Sequence, residues 1–281
     1  MPQLNDHDLD LKLAELKMMG FTIFEGLLPV ETIDRIRDAF DPLLDELRQK
    51  TQHMDPEWPK PQRQASVLAC TDQRLIVNGQ LQELKRYSMH VPWEQPFADP
   101  GIYEHPVLLA FLDRYFGTPD YRLNCYHSNV PDPGAPYQEW HRDIPLLEPH
   151  VGLQFAPQVV ARFPLVDTTE ENGSFEAMPS TQYIAHPELH GRYHDILEAG
   201  GFPKGHRINV KKGTLYIQDP RLIHRGTPNR SAQPRPELVF CFCQSWFIEV
   251  DVDQSLMMTR AEFERLSPRG KQLLARCRVL D

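Results

Sequence analysis

The chain has 281 residues, 41% of them hydrophobic, enough to bury one substantial core without requiring a second domain. Its 30 Lys and Arg against 39 Asp and Glu leave a net charge of −9, a field that repels nucleic-acid phosphates and anionic membrane surfaces. Five cysteines without a CxxC pair, Cys70, Cys125, Cys241, Cys243 and Cys277, suit a reducing compartment better than a disulfide scaffold.

The N-terminal stretch MPQLNDHDLDLKLAEL is acidic and lacks the basic and apolar regions of a secretion or import signal. No segment approaches the roughly 20 apolar residues of a membrane span. A soluble, cytoplasmic protein is the expectation. Helical spacing places one amphipathic helix from about Asp6 to Met19, stopped by Gly20, and a second from Pro29 to about Leu47, with Ile33, Ile36, Phe40, Leu43, Leu44 and Leu47 on one face. A short strand, Phe21 to Phe24, separates them. Residues 51–80, with Pro56, Pro59 and Pro61, show no period and read as a surface excursion.

A third helix, about Pro106 to Phe116, ends at Gly117, after which short β-rich runs alternate with Pro, Gly and Asn. The candidate strands are 121–126, 151–155, 159–166, 174–177, 207–210, 214–218 and 237–248. Helices followed by strands argue for an α+β, mainly β fold, with helices packed on an antiparallel sandwich or barrel. The C-terminus returns to helix: Thr259 with Glu262 forms a capping-box pattern, and Ser267-Pro268 opens a further helix.

The chemistry-bearing motif is Gln138-Glu139-Trp140-His141-Arg142-Asp143. On extended backbone, residues two apart project to the same face, so His141 and Asp143 reach a common ion from one strand end. His224 follows the strand Thr214 to Gln218. Two His and one carboxylate form the facial triad that leaves positions open on Fe(II) for O₂ and a co-substrate. Arg235 stands eleven residues past His224, at the start of an apolar strand. Alone it reads as a solvated arginine beside a proline turn; with His224 so near it reads as a bidentate clamp for one carboxylate of 2-oxoglutarate.

Four blocks carry a family resemblance: Gly20 to Pro29; Glu139 to Asp143; Pro164-Leu165-Val166-Asp167 leading to Glu171-Asn172-Gly173-Ser174; and His224 to Ser231 with Arg235. In order and spacing they resemble the phytanoyl-CoA dioxygenase family of Fe(II)/2-oxoglutarate oxygenases. The resemblance implies a double-stranded β-helix (jelly-roll, cupin-like) core at about 121–250. It adds a helical part at about 1–120 and C-terminal helices at about 255–281, all in one domain. It further implies iron held by His141, Asp143 and His224, 2-oxoglutarate clamped by Arg235, and O₂ as the oxidant. Two places depart from the family. Met178-Pro179-Ser180-Thr181-Gln182 replaces a PGSH turn, and Gly226 replaces a Ser that assists co-substrate binding, with Thr227 as its candidate substitute. Asp143, being a carboxylate, disfavours the halide-accepting variant of this site and leaves hydroxylation or a related oxidation.

Further candidates are open in both directions. Asn124 and Tyr126 either face the barrel, touching co-substrate or substrate, or fill the core. Arg86 and His90, preceding the barrel with Trp93, either meet a polar substrate or pack a helix–barrel seam. Gln138 and Trp246 join them as candidate substrate contacts, Trp246 being equally a core residue. His186, His190 and His194 in a Pro- and Gly-broken run read as ordinary exposed histidines. The expected partner is a small molecule, and the chain a monomer or homodimer. The competing readings are a non-catalytic jelly-roll binding a metal or ligand and a cupin-type lyase or isomerase, neither of which needs the Arg235 clamp.

Overall fold

The structure, a computed structural model, describes residues 4–51, 78–83, 85–138, 140–143, 156–184, 205–247 and 256–280. The expected strand at 151–155, most of the 51–80 excursion and His186, His190 and His194 lie outside the described residues.

Helix α1 (Asp6–Met19) begins at Asn5, whose side chain and that of Asp8 cap each other's backbone, and ends at Gly20 with φ of 83°, a left-handed conformation that costs glycine little. Strand β1 (Phe21–Phe24) and helix α2 (Val30–Thr51) follow; α2 passes through Pro42 and outruns its expected end at Leu47. After the hairpin β2 (Asn78–Glu83) and β3 (Arg86–His90) come α3 (Pro100–Tyr103) and α4 (Pro106–Phe116). The β-rich part comprises β4 (Tyr121–Pro131), β5 (Gln158–Pro164), β6 (Phe175–Ala177), β7 (His206–Ile208), β8 (Leu215–Gln218), β9 (His224–Arg225) and β10 (Glu237–Gln244). The chain closes with β11 (Met257–Thr259), α5 (Arg260–Arg265), α6 (Pro268–Leu273) and β12 (Arg278–Leu280). The Thr259–Glu262 capping box and the Ser267 cap are both present.

Seven strands form one sheet in the order β1-β8-β5-β10-β4-β3-β2, and three form a second in the order β7-β6-β9. All these pairings are antiparallel. The two sheets make a double-stranded β-helix. Its large sheet uses its faces differently. Phe163, Leu238, Phe240, Phe242, Leu123 and Tyr126 pack outward with the helices in the main apolar core. The alternate residues face inward, and one register row across the sheet reads Ile23, Tyr216, Arg162, Val239, His127 and His90. The small sheet covers part of this inner face, Phe175 lying against Tyr216.

Several expectations need correction here. Residues 86–90 form a strand of the large sheet and not a seam before the barrel; Tyr87 and Met89 join the core while Arg86, Ser88 and His90 take the other face, a period of two already present in the sequence. Strand β4 runs five residues past its expected end, and β10 stops at Gln244, where a turn places Trp246 at 60% exposure while Phe247 is buried. The C-terminal helices are short and flanked by a parallel β11–β12 pair.

Candidate metal centre and the charged array behind it

The HxD segment and the distal histidine are stitched together by backbone. His141 and His224 form an antiparallel bridge, His141 N donating to His224 O at 2.9 Å and His224 N to His141 O at 3.0 Å. Asp143 N donates to Pro220 O at 2.9 Å. Trp140, Met178 and Ile223 pack into a small cluster beside this stitch. One donor atom each from His141, Asp143 and His224 lies within 4.8 Å of the others, with His224 Nε2 3.2 Å and His141 Nε2 3.9 Å from Asp143 Oδ1. The three donors thus converge on one point, where they would hold a single ion.

The surroundings fix which atoms face the ion. His224 Nδ1 lies 2.8 Å from Leu222 O; a carbonyl only accepts, so Nδ1 carries the proton and Nε2 keeps its lone pair. Gln218 Nε2 donates to Asp143 Oδ2 at 2.8 Å, leaving Oδ1 for the metal. The His224 ring stacks on Phe175 at 4.8 Å. Burial alone would raise the Asp143 carboxyl, but the neighbouring His224, Arg162 and His141 side chains outweigh it and hold it well below the usual carboxylate range.

Behind the triad, the inner face of the large sheet carries a buried charge array. Arg162 places Nη2 3.7 Å from Asp143 Oδ2, and donates from Nε to Gln218 Oε1 at 3.2 Å and from Nη1 to Glu237 Oε1 at 2.9 Å. Glu237 also accepts from Arg235 Nη1 at 2.9 Å and from Tyr216 OH at 2.7 Å. Burial would raise the Glu237 carboxyl too, yet Arg235 and Arg162 lower it. Arg235 is 3% exposed, and its buried Nε has no hydrogen-bond partner. A guanidinium N–H left unpaired in a protein interior is costly unless a ligand meets it. Asn124 points the same way. A bulge between Cys241 and Phe242 on β10 faces Asn124 on β4, turning it inward beside Cys125, and its buried Nδ2 is also unpartnered.

The other expected residues fall elsewhere. Tyr126 faces the helices, not the inner side of the sheet: it stacks on Phe240 at 4.3 Å, and its hydroxyl donates to Phe97 O. The bulge shifts the alternation by one, so Asn124 and Tyr126 lie on opposite faces and Tyr126 takes the core-filling alternative. Thr227 does not replace the missing Ser. Its hydroxyl donates to Ser174 O at 2.7 Å and accepts from Arg207 Nη2 at 2.6 Å, so it ties loops together. A Cβ added at Gly226 would meet Gln138 Oε1 at 2.5 Å and Arg86 Nη1 at 2.6 Å; those two side chains fill the room a Ser would take. Gln138 Oε1 accepts from Gly226 N at 2.9 Å, and Arg86 Nη2 donates to Pro136 O at 2.5 Å and Thr227 O at 2.7 Å. Both therefore brace the loop after His224. His90 lies inward beside His127 on β4. Trp246 stands exposed past the end of β10, its Nε1 donating to Gln244 Oε1.

Arg162, Gln218, Glu237, Tyr216 and Phe175 join the site without a motif in the sequence to mark them. One signal existed: Arg162 and Glu237 are charges set in otherwise apolar strand runs, which a buried strand tolerates only when they are paired.

The phytanoyl-CoA dioxygenase family model matches residues 16–236. Similar folds occur in AviO1 from Streptomyces viridochromogenes Tue57, at 18% identity and a TM-score of 0.60, covering 88% of this chain and 99% of that one. HygX from Streptomyces hygroscopicus, solved with nickel, 2-oxoglutarate and hygromycin B, is 16% identical with a TM-score of 0.57, covering 88% and 90%. The epimerase SnoN, in complex with Fe3+, alpha ketoglutarate and nogalamycin RO, is 14% identical with a TM-score of 0.54, covering 85% of each chain. Over more than half its length, and with the triad in place, this chain belongs to the phytanoyl-CoA dioxygenase family, an enzyme family of iron- and 2-oxoglutarate-dependent oxygenase chemistry.

Proposed function

We propose that the chain is a single-domain Fe(II)/2-oxoglutarate dioxygenase that hydroxylates a small molecule in the cytoplasm, working as a monomer or homodimer. The observation that carries this reading is the triad set against a buried array with an unsatisfied arginine. Asp143, Arg162, Glu237 and Arg235 sum to zero charge, so a divalent cation and a dicarboxylate enter with charges that cancel. Buried charge is tolerated on that condition.

When bound, Fe(II) and 2-oxoglutarate supply O₂ activation coupled to decarboxylation to succinate and CO₂. The protein's part is positional. His141, Asp143 Oδ1 and His224 hold the metal on one side, Gln218 orients the carboxylate, and Arg235, with Asn124 on the inner face of the sheet, receives the far carboxylate of the co-substrate. HygX and SnoN, solved with 2-oxoglutarate and small molecules bound, support a small-molecule substrate. Among the described residues no helix is long and apolar enough to cross a membrane. A metal- or ligand-binding jelly-roll without catalysis has no need of Arg235 beside its triad.

The test is 2-oxoglutarate turnover with Fe(II) and O₂ across a panel of small molecules. Succinate release above a His141→Ala control, with a product heavier by one oxygen, is expected; no release above that control across the panel contradicts the reading.

A further inference from the structure

Glu237 is 2% exposed and accepts hydrogen bonds from three side chains, Arg162, Arg235 and Tyr216. Neutralising one arginine needs only one such contact. The placement of its two guanidinium partners suggests a more specific role: Arg235 faces the proposed co-substrate position, while Arg162 stops 3.7 Å short of the metal-ligand carboxylate Asp143. That gap exceeds a hydrogen bond, and Gln218 takes the Asp143 Oδ2 position instead at 2.8 Å.

Resting on the function proposed above, we propose that Glu237 is a positioning residue for both halves of the site. It holds Arg162 back from Asp143, which keeps that carboxylate available to the metal, and it fixes Arg235 in the orientation that receives the co-substrate. The physical argument concerns where Arg162 goes without it. A guanidinium with 6% side-chain exposure requires a carboxylate partner, and Asp143 is the carboxylate already beside it. A small rotation would close the gap to a charge-assisted pair, and an Asp143 paired with arginine is a poorer metal ligand. Arg235, losing its anchor, would sample rotamers that do not present its N–H groups to the co-substrate position. Tyr216 secures the carboxylate itself, its hydroxyl staying protonated because burial raises it well above its ordinary value.

The test uses Mn(II) as a redox-silent metal and 2-oxoglutarate as the second ligand, with binding measured by calorimetry on the full chain and folding checked by circular dichroism. Glu237→Gln should weaken Mn(II) binding by about tenfold, the size expected when a partner of a metal ligand is disturbed. It should also weaken 2-oxoglutarate binding to the Mn(II)-loaded protein by about tenfold, the worth of one oriented hydrogen bond to charge. The double variant Arg162→Met with Glu237→Gln separates the two halves. Mn(II) affinity should return to near the wild-type value, because the competing guanidinium is gone, while 2-oxoglutarate affinity stays low.

Wild-type Mn(II) binding in Glu237→Gln, or no recovery in the double variant, overturns the restraint of Arg162. Wild-type 2-oxoglutarate binding in either variant overturns the clamp orientation. Should Glu237→Gln not fold, Glu237→Asp keeps the charge but is too short to span both arginines, and the same losses are expected from it. If the wild-type chain binds neither Mn(II) nor 2-oxoglutarate, the failure belongs to the proposed function and not to Glu237.

Discussion

The two faces of the seven-stranded sheet are built from alternate residues of the same strands, yet they do opposite work. Outward, Phe163, Leu238, Phe240 and Phe242 join one apolar core with the helices. Inward, Arg162, Gln218 and Glu237 are buried as well, none more than 5% exposed, but their hydrogen bonds and charges lead to Asp143. The outer face supplies stability through area removed from water. The inner face spends some of that stability on a polar array whose full satisfaction needs ligands. Depth therefore does not separate structural from functional residues here; the pairing of their polar atoms does.

Substitutions on the two faces should separate activity from stability. The largest effect belongs to His224→Ala, which should abolish succinate release and metal binding with little change in melting temperature; retained turnover would remove the triad from the account. On the outer face, Phe240→Ala deletes a ring stacked on Tyr126 and should cost about 3–5 kcal/mol, read by urea unfolding, while the folded fraction keeps its metal affinity. Gln218→Leu removes the N–H that orients Asp143 and should weaken metal binding by about 10–100-fold, measured by Mn(II) titration. The smallest effect is a pH dependence. Although burial opposes it, Arg235 and Arg162 lower the Glu237 carboxyl in the folded protein. Its ionised form thus adds stability that is complete above the unfolded carboxylate value of about 4.3 and fades as pH falls through the lower folded value. The difference in melting temperature between wild type and Glu237→Gln should shrink on acidification below about pH 4; a constant difference would place the effect elsewhere.

How much of this was legible in the sequence follows the same division. Helices α1 and α4 and the C-terminal caps were readable to the residue because Gly20, Gly117, Thr259 and Ser267 mark their ends locally. The triad was readable because His141 and Asp143 share a strand end, and His224 follows a recognisable strand. Strand β3 is not evident from the sequence although Tyr87 and Met89 alternate with Arg86, Ser88 and His90, since its charged and polar half reads equally as a substrate contact or a helix–barrel seam. The side taken by Tyr126, open between barrel and core in the sequence, is decided by a single bulged residue, Asn124, which reverses the count. The array was illegible for a different reason. Arg162 and Glu237 are 75 residues apart in the chain, and nothing local to either says that the other satisfies it. In strands buried on both faces, the apolar alternation that would mark an inner side is lost.

The central claim is that His141, Asp143 and His224 hold iron where 2-oxoglutarate can chelate it while Arg235 takes the far carboxylate. Anaerobic addition of Fe(II) and 2-oxoglutarate to the purified chain tests it most directly. The account predicts a weak visible charge-transfer band that is lost in His141→Ala and that needs higher 2-oxoglutarate concentrations in Arg235→Lys. Absence of the band in the wild-type protein, or an unchanged band in His141→Ala, would contradict it.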